Sequence, residues 1–315
     1  METGKLGKLK GESEMFLTKK ILLICNIVLI SVIHAGDVIK PYILLGESGK
    51  SISTTKSEIV KKLFMSDIEI LGKYSPADDP DKYVIIITHP ELLKAVKKGE
   101  PSAGFLAGIR IAITKKGEMT YISCQNPKYW ANAYFQEDYP EVSAHIENVT
   151  NVLLKTIPRF RLMTTFEYGS ENGLSEDELR KYRYMFGMPY LKDYILMGSF
   201  DTYEAAVHTI EKNFKYSTSC RKIFEKVIIG QKLKLYGIGF LSETGEDQFL
   251  PMIDIGERKH TASMPYEILV VDNEVRMLHG RYRLALSFPD LSMKTFTKIM
   301  SISGDIEKMA KTLMK

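Results

Sequence analysis

The stretch YILLGESGKSIS, residues 42–53, has the ingredients of a phosphate-binding loop: an apolar strand, a glycine turn, Gly49-Lys50-Ser51 and a helix-like continuation. Such a loop would make the protein a nucleotide-using enzyme. The chemistry requires G-x-x-x-x-G-K-[ST], because successive backbone N–H groups must wrap the phosphates while the lysine reaches in. Leu44 stands where the first glycine belongs, and Gly46 comes too late. Lys50 is therefore expected to be a solvated loop residue.

Cys124 is a candidate nucleophile, since a thiolate beside an imidazole attacks electrophiles. No Cys-His-Asn signature surrounds it, and the competing expectation is a small buried hydrophobe. The segment SCQNPKYWANAYF, residues 123–135, holds the single tryptophan with two tyrosines and a phenylalanine. Trp130 and Tyr134 lie four apart, which suits a helix face packed on a sheet. Alternatively Asn126, Tyr129, Trp130 and Tyr134 line a small-molecule cleft. His260, Met264, Met277 and His279 bracket a hairpin, a soft set of the kind that holds copper, against which stands the ordinary use of methionine as core filling. There is no H-E-x-x-H and no C-x-x-C, so no cofactor is expected. Asp78-Asp79-Pro80-Asp81 lacks the spacing of a calcium loop and reads as an acidic turn.

These groups need elements to position them, and the chain opens with a different signal. Lys19 and Lys20 precede ILLICNIVLISVI, residues 21–33, followed by His34-Ala35-Gly36. That is the layout of a secretory leader, 1–35, with cleavage after Ala35. The apolar run covers roughly 20 Å as a helix, short of the roughly 30 Å hydrocarbon core; membrane contact is expected only through an uncleaved leader. Three glutamates interrupt the first lysines, so Met15 competes with Met1 as the start, and Cys25 lacks the setting of a lipid-attachment site. The expected location is periplasmic or otherwise extracytoplasmic. Without the leader the chain keeps 38 basic and 36 acidic residues. A balance so close to neutral gives no bulk attraction for nucleic acid.

The strand and turn YILLGES return as YILMGSF, residues 194–200, with no Gly-Lys behind them. What the copies share is a helix start: Thr55 with Glu58 before IVKKLF, and Asp201 with Glu204 before AVHTIEKNF, both read as caps. In the first copy IEILGKY and YVIIIT read as strands, HPELLKAVKKG as a Pro-started helix, GIRIAIT and EMTYISC as a hairpin, and NPKYWANAYF and EVSAHIENVTNVLLKTI as helices. In the second copy CRKIFEKVIIG reads as an added helix, LKLYGIGF and FLPMIDIG as strands, and YEILVV with EVRML as a hairpin around Asp272-Asn273. LALSF precedes Pro289-Asp290, with Phe288 at the position matching Cys124, and MKTFTKIM and IEKMAKTLM close the chain as helices.

Repetition at domain length implies duplication. The expected organisation is a first domain at 36–157, a connector at 158–192 whose helix is opened by Ser175 with Glu178, and a second domain at 193–315. The fold class is α+β: two similar domains, each a mostly antiparallel sheet with helices on one face, paired about a pseudo-two-fold axis.

The order of elements, with Thr88-His89-Pro90, ELLKAV, GIRIAI, MTYIS and Asn126-Pro127-Lys128-Tyr129 as landmarks, resembles the bacterial domain of unknown function numbered 302. The likeness covers residues 42–157 and, more loosely, 194–315, where both prolines are missing in register; Thr88 also replaces the family's glycine. The resemblance implies a compact α/β fold that pairs as dimers and brings no catalytic residues. The functional expectation is an exported, non-catalytic binding protein with a small-molecule cleft between the copies. An envelope interaction component and a thiol-dependent enzyme using Cys124 are the alternatives.

Overall fold

The computed structural model describes residues 38–241 and 245–315; the leader, with Ala35 and Cys25, lies outside the described residues. β1 (Tyr42–Ser48) leads into α1 (Ile52–Phe64), followed by β2 (Glu69–Tyr74), β3 (Lys82–Thr88) and α2 (Pro90–Val96). The hairpin β4 (Ile109–Lys116) and β5 (Met119–Gln125) comes next, then α3 (Pro127–Phe135) and α4 (Tyr139–Thr156). The second half repeats the series as β7 (Ile195–Ser199), α6 (Tyr203–Tyr216), β8 (Cys220–Ile228), β9 (Leu233–Phe240), α7 (Glu246–Ile253), β10 (Tyr266–Val271), β11 (Glu274–Met277), α8 (Gly280–Ser287) and α9 (Met293–Lys311). Between them stand β6 (Phe166–Tyr168) and α5 (Glu176–Arg180).

The sheets run β2-β3-β4-β5-β1-β6 and β7-β11-β10-β9-β8, antiparallel throughout. Replacing each strand by its counterpart turns one order into the other, apart from the added β6. The agreement reaches single residues. Leu45 is the bulged residue of YILLGES and Met197 that of YILMGSF, each just before its glycine. Edge strands β2 and β8 each carry a bulge, at Leu71 and Ile223. A bulge leaves one residue unpaired and bends the strand, so a shared bulge position is a specific mark of a shared fold. The hairpins turn through two residues with φ positive at Gly117 and Asp272, the conformation a twisted two-residue turn needs.

Several elements differ from what the sequence pattern predicts. CRKIFEKVIIG is not a helix but mostly β8: its Lys and Glu side chains go into ion pairs rather than a helix face, and the Ile223 bulge breaks the alternation that marks a strand. FLPMIDIG is not a strand but mostly α7, a short helix that accommodates Pro251. The cap of α1 is Ser51, whose hydroxyl accepts from Thr54 N at 3.2 Å, while Thr55 sits buried inside the helix. The cap of α6 is Thr202 rather than Asp201, accepting from Ala205 N at 3.1 Å. LALS lies in α8 with Phe288 as its C-cap, and the two C-terminal helical runs join in α9, which a short 3-10 turn, Thr312–Met314, follows. Cys124 pairs with Ile111 as Met277 pairs with Ile268, so its counterpart is Met277 and not Phe288. The box at Ser175 and Glu178 forms as expected, at 2.8 and 3.3 Å, and the connector adds β6 to the first sheet.

Residues 39–315 make one compact unit with a continuous apolar core. The halves exchange equivalent pieces: residues 101–106, before β4, pack on β9 and β10, while residues 261–263, before β10, pack on β3, β4 and β5. Setting the helix caps Asn126 and His279 in register aligns Tyr129 with Tyr282 and Ala133 with Leu286. Tyr129 Oη donates to Leu286 O at 3.0 Å and Tyr282 Oη to Ala133 O at 3.3 Å, a reciprocal pair. Arg110 and Glu267 also occupy equivalent positions, one residue before Ile111 and Ile268, and form a fully buried ion pair between the sheets. Arg110 Nη1 donates further to Gln125 Oε1 at 3.0 Å and Gly108 O at 3.2 Å. Burial lowers its pKa to about 10, leaving it cationic at neutral pH. At Gly72 a Cβ would lie 2.3 Å from Ile223 O, so the edge strands approach closely only because this residue is glycine.

Candidate functional site

β1 ends at Ser48 and α1 begins at Ile52, leaving residues 49–51 between them. That connection is too short to wrap a phosphate, and Gly46 lies inside the strand, where a Cβ would come 2.7 Å from Pro158 O. Lys50 Nζ pairs with Glu58 at 2.6 Å across half-exposed side chains. The glycines serve the turn and its packing against the connector.

A groove of about 740 Å³ opens along α4, bounded by the start of α3, by β6 and by α5. Its size falls within the range of roughly 300–1,000 Å³ usual for small-molecule sites. Ile43, Ile146, Leu154 and Phe166 give it apolar walls. The polar side is built by capping: Asn126 Oδ1 accepts from Lys128 N at 3.2 Å, and Asn126 Nδ2 donates to Lys40 O at 2.9 Å. This fixes the start of α3 and places Lys128 on the rim. Glu176, in the first turn of α5, receives Lys128 Nζ at 2.7 Å and Arg180 Nη2 at 2.7 Å. The Glu176 contact raises the pKa of Lys128. Arg180 Nε also donates to Asn132 Oδ1 at 3.0 Å, and its guanidinium lies over Tyr139 at 5.3 Å. Glu147, Thr150 and Asn151 complete the α4 wall. The groove thus offers two fixed cations and several carboxylates above an apolar floor, which suits a polar ligand of mixed charge.

Of the four residues expected to line a cleft, Asn126 reaches this groove and the aromatics lie inside the protein. Trp130 is buried with Nε1 donating to Pro41 O at 2.8 Å, and it packs edge-on against Tyr129 and Tyr134. Tyr129 spends its hydroxyl on the other half. Burial raises the pKa values of Tyr129 and Tyr134, so both stay protonated. The signal in the sequence that points to the groove is the amphipathic α4 beside the charged connector helix, two segments whose patterns read equally well as packing elements.

Cys124 is fully buried on β5 between β1 and β4, and burial pushes its thiol well up. This placement disfavours the thiolate and leaves the sulfur no exposed surface, the setting of a packing residue. Cys220 is also buried, and the two are free thiols. Mass mapping of the native protein after N-ethylmaleimide is expected to leave the Cys124 peptide unmodified until denaturant is added; rapid labelling under native conditions would contradict this placement. The four residues considered for copper are separately engaged. Met264 and Met277 are core residues. His279 Nδ1 accepts from Arg281 N at 3.2 Å as the cap of α8, and His260 stacks on Phe288, ring centroids 4.8 Å apart. Among the described residues no cluster of three or more His, Cys, Asp or Glu is arranged to hold a metal ion, and no helix is long and apolar enough to cross a membrane.

A scan against protein-family models finds no match, and a search of curated proteins finds none. Among solved structures the chain is similar to the crystal structure of an uncharacterized conserved protein, DUF302, from Bacillus stearothermophilus. The identity is 13%, the alignment covers 36% of this chain and 94% of that one, and the TM-score is 0.32.

Proposed function

We propose that this is an exported binding protein, descended by tandem duplication from a half-molecule like the domain of unknown function numbered 302, that holds a small polar molecule in the groove along α4. The leader-like segment 1–35 supports export. The matching strand orders and bulges support duplication, and the reciprocal Tyr129 and Tyr282 contacts support a pairing inherited from an ancestral dimer. The single observation that carries the binding reading is the 740 Å³ groove with Asn126, Lys128, Glu176 and Arg180 held around an apolar floor. The burial of Cys124 argues for binding over thiol chemistry.

The reading is tested by native mass spectrometry of gently purified protein beside an Asn151→Trp variant. Asn151 is exposed on the groove wall, so the indole fills the groove without disturbing the core. The parent is expected to carry a small-molecule adduct that the variant lacks. An adduct that survives in the variant, or a parent without one, counts against the groove.

A further inference from the structure

A separate groove of about 450 Å³ lies where the connector meets the second half, lined by Gly169 and Ser170 on one side and by Met252, Ile253, His260, Phe288, Asp290 and the start of α9 on the other. His260 forms part of its wall. Its Nδ1 lies 3.2 Å from Ser287 O; a carbonyl oxygen only accepts, so Nδ1 carries the proton and Nε2 keeps its lone pair. No partner occupies Nε2 among the described residues. Desolvation lowers the pKa of this histidine even with Asp254 and Asp290 nearby, which keeps the ring neutral and an acceptor at neutral pH. The ring is clamped by Phe288 at 4.8 Å, Tyr42 at 5.0 Å and Tyr168 at 6.0 Å, so the acceptor has one orientation.

Among the described residues Asp290 is the only charged side chain lining the groove. Its oxygens accept from Ser170 Oγ at 3.0 Å and from Glu171 N, and each retains accepting capacity. The N-terminus of α9 adds a partial positive charge, about half an elementary charge, but Ser292 Oγ already caps Thr295 N at 3.2 Å. The full charge of Asp290 prevails. Beside the hydroxyls of Ser170, Ser292 and Thr295, the rest of the wall is apolar, made by Met252, Ile253, Ile255, Phe288 and Leu291.

We propose that this groove is a second ligand site, selective for a small primary amine on an apolar body, whose ammonium group donates to His260 Nε2 and is balanced by Asp290. The site stands independently of the groove along α4.

The test compares 2-phenylethylamine with phenylacetate, the same ring bearing opposite charge, on the full chain at neutral pH. The readout is the ¹⁵N resonance of His260 Nε2 together with the dissociation constant. The amine is expected to move that resonance and to bind at least about tenfold more tightly than phenylacetate, a difference of about one favourable charge contact. His260→Phe, which keeps the stack on Phe288, is expected to abolish amine binding, whereas Asn151→Trp leaves it intact. Equal binding of phenylacetate, an unmoved Nε2 resonance at saturating amine, or no amine binding by the parent would each overturn the proposal. The resonance is read on the parent protein, so the proposal stays falsifiable even if the histidine variant does not fold.

Discussion

Arg110→Met alone is expected to destabilise the protein by about 3–5 kcal/mol, while R110M combined with Glu267→Leu should return close to the parent. Both side chains are almost wholly inaccessible, at 1% and 2% exposed. Their mutual attraction roughly offsets the loss of water around each ion, so the pair taken as a unit adds little. Removing Arg110 leaves a buried carboxylate without its direct partner, and that is where the loss arises. Urea unfolding of the parent, both single variants and the double variant measures the coupling directly. The reversed pair R110E with E267R adds a test of symmetry. Because the positions are equivalent, the reversal should rescue most of the loss caused by R110E, less the Gln125 hydrogen bond, whose counterpart position holds Leu278. Additive effects of the single substitutions would mean that the two sheets do not share this contact.

The second large effect concerns pH. Glu246 opens α7 and is 1% exposed, accepting from Tyr74 Oη at 3.2 Å and Ala77 N at 3.0 Å, both in the first half. Desolvation raises its pKa from 4.5 to about 7; the hydrogen bonds with Ala77, Tyr74 and the Phe240 backbone, together with Arg221, oppose that shift and are outweighed. Folding therefore favours the protonated carboxyl. Below pH 4.5 both folded and unfolded chains hold the proton and nothing is lost. Between about 4.5 and 7 the unfolded chain releases it first, so stability falls as pH rises, and the loss levels off above 7. The full difference is about 3 kcal/mol. Glu246→Gln keeps the shape and one acceptor without ionising. It should match the parent at about pH 4, exceed it by up to about 3 kcal/mol at about pH 8, and remove this slope from a plot of unfolding free energy against pH. A variant less stable than the parent at the higher pH would mean that Glu246 is ionised and well paired in the folded state.

Much of the architecture is legible in the sequence because the same order of elements recurs in its two halves. YILLGES and YILMGSF fall on equivalent strands down to the bulged residue, and the hairpins at 109–125 and 266–277 show the Ile, Val and Tyr runs and tight turns that mark strands. Pattern and structure part where tertiary context overrides local signals. β8 hides its strand character behind a bulge and a row of Lys and Glu. α7 reads as a strand because it is short and apolar and contains Pro251. A Glu three residues after Thr55 and Asp201 makes each look like a cap, whereas the hydroxyls that accept the bonds belong to Ser51 and Thr202.

The candidate site is less legible for a related reason. Tyr129, Trp130 and Tyr134 have the composition of a cleft wall, and sequence does not distinguish a wall facing solvent from one facing the other half. Tyr129 bonding to Leu286 is a contact across 157 residues of chain. His260 stands out in the sequence for its type and its nearby methionines, yet its setting is made by Tyr42, Tyr168 and Phe288, drawn from distant parts of the chain.

The shared face can be tested by cutting the chain between the halves. A protease site inserted at the exposed turn around Phe186 and Gly187, where φ is positive at the glycine, allows cleavage after folding, and native mass spectrometry then reads what remains together. The expected result is a one-to-one complex of the two fragments that persists at micromolar concentration and separates only in denaturant. Fragments that drift apart in buffer, each still folded, would contradict a core held in common.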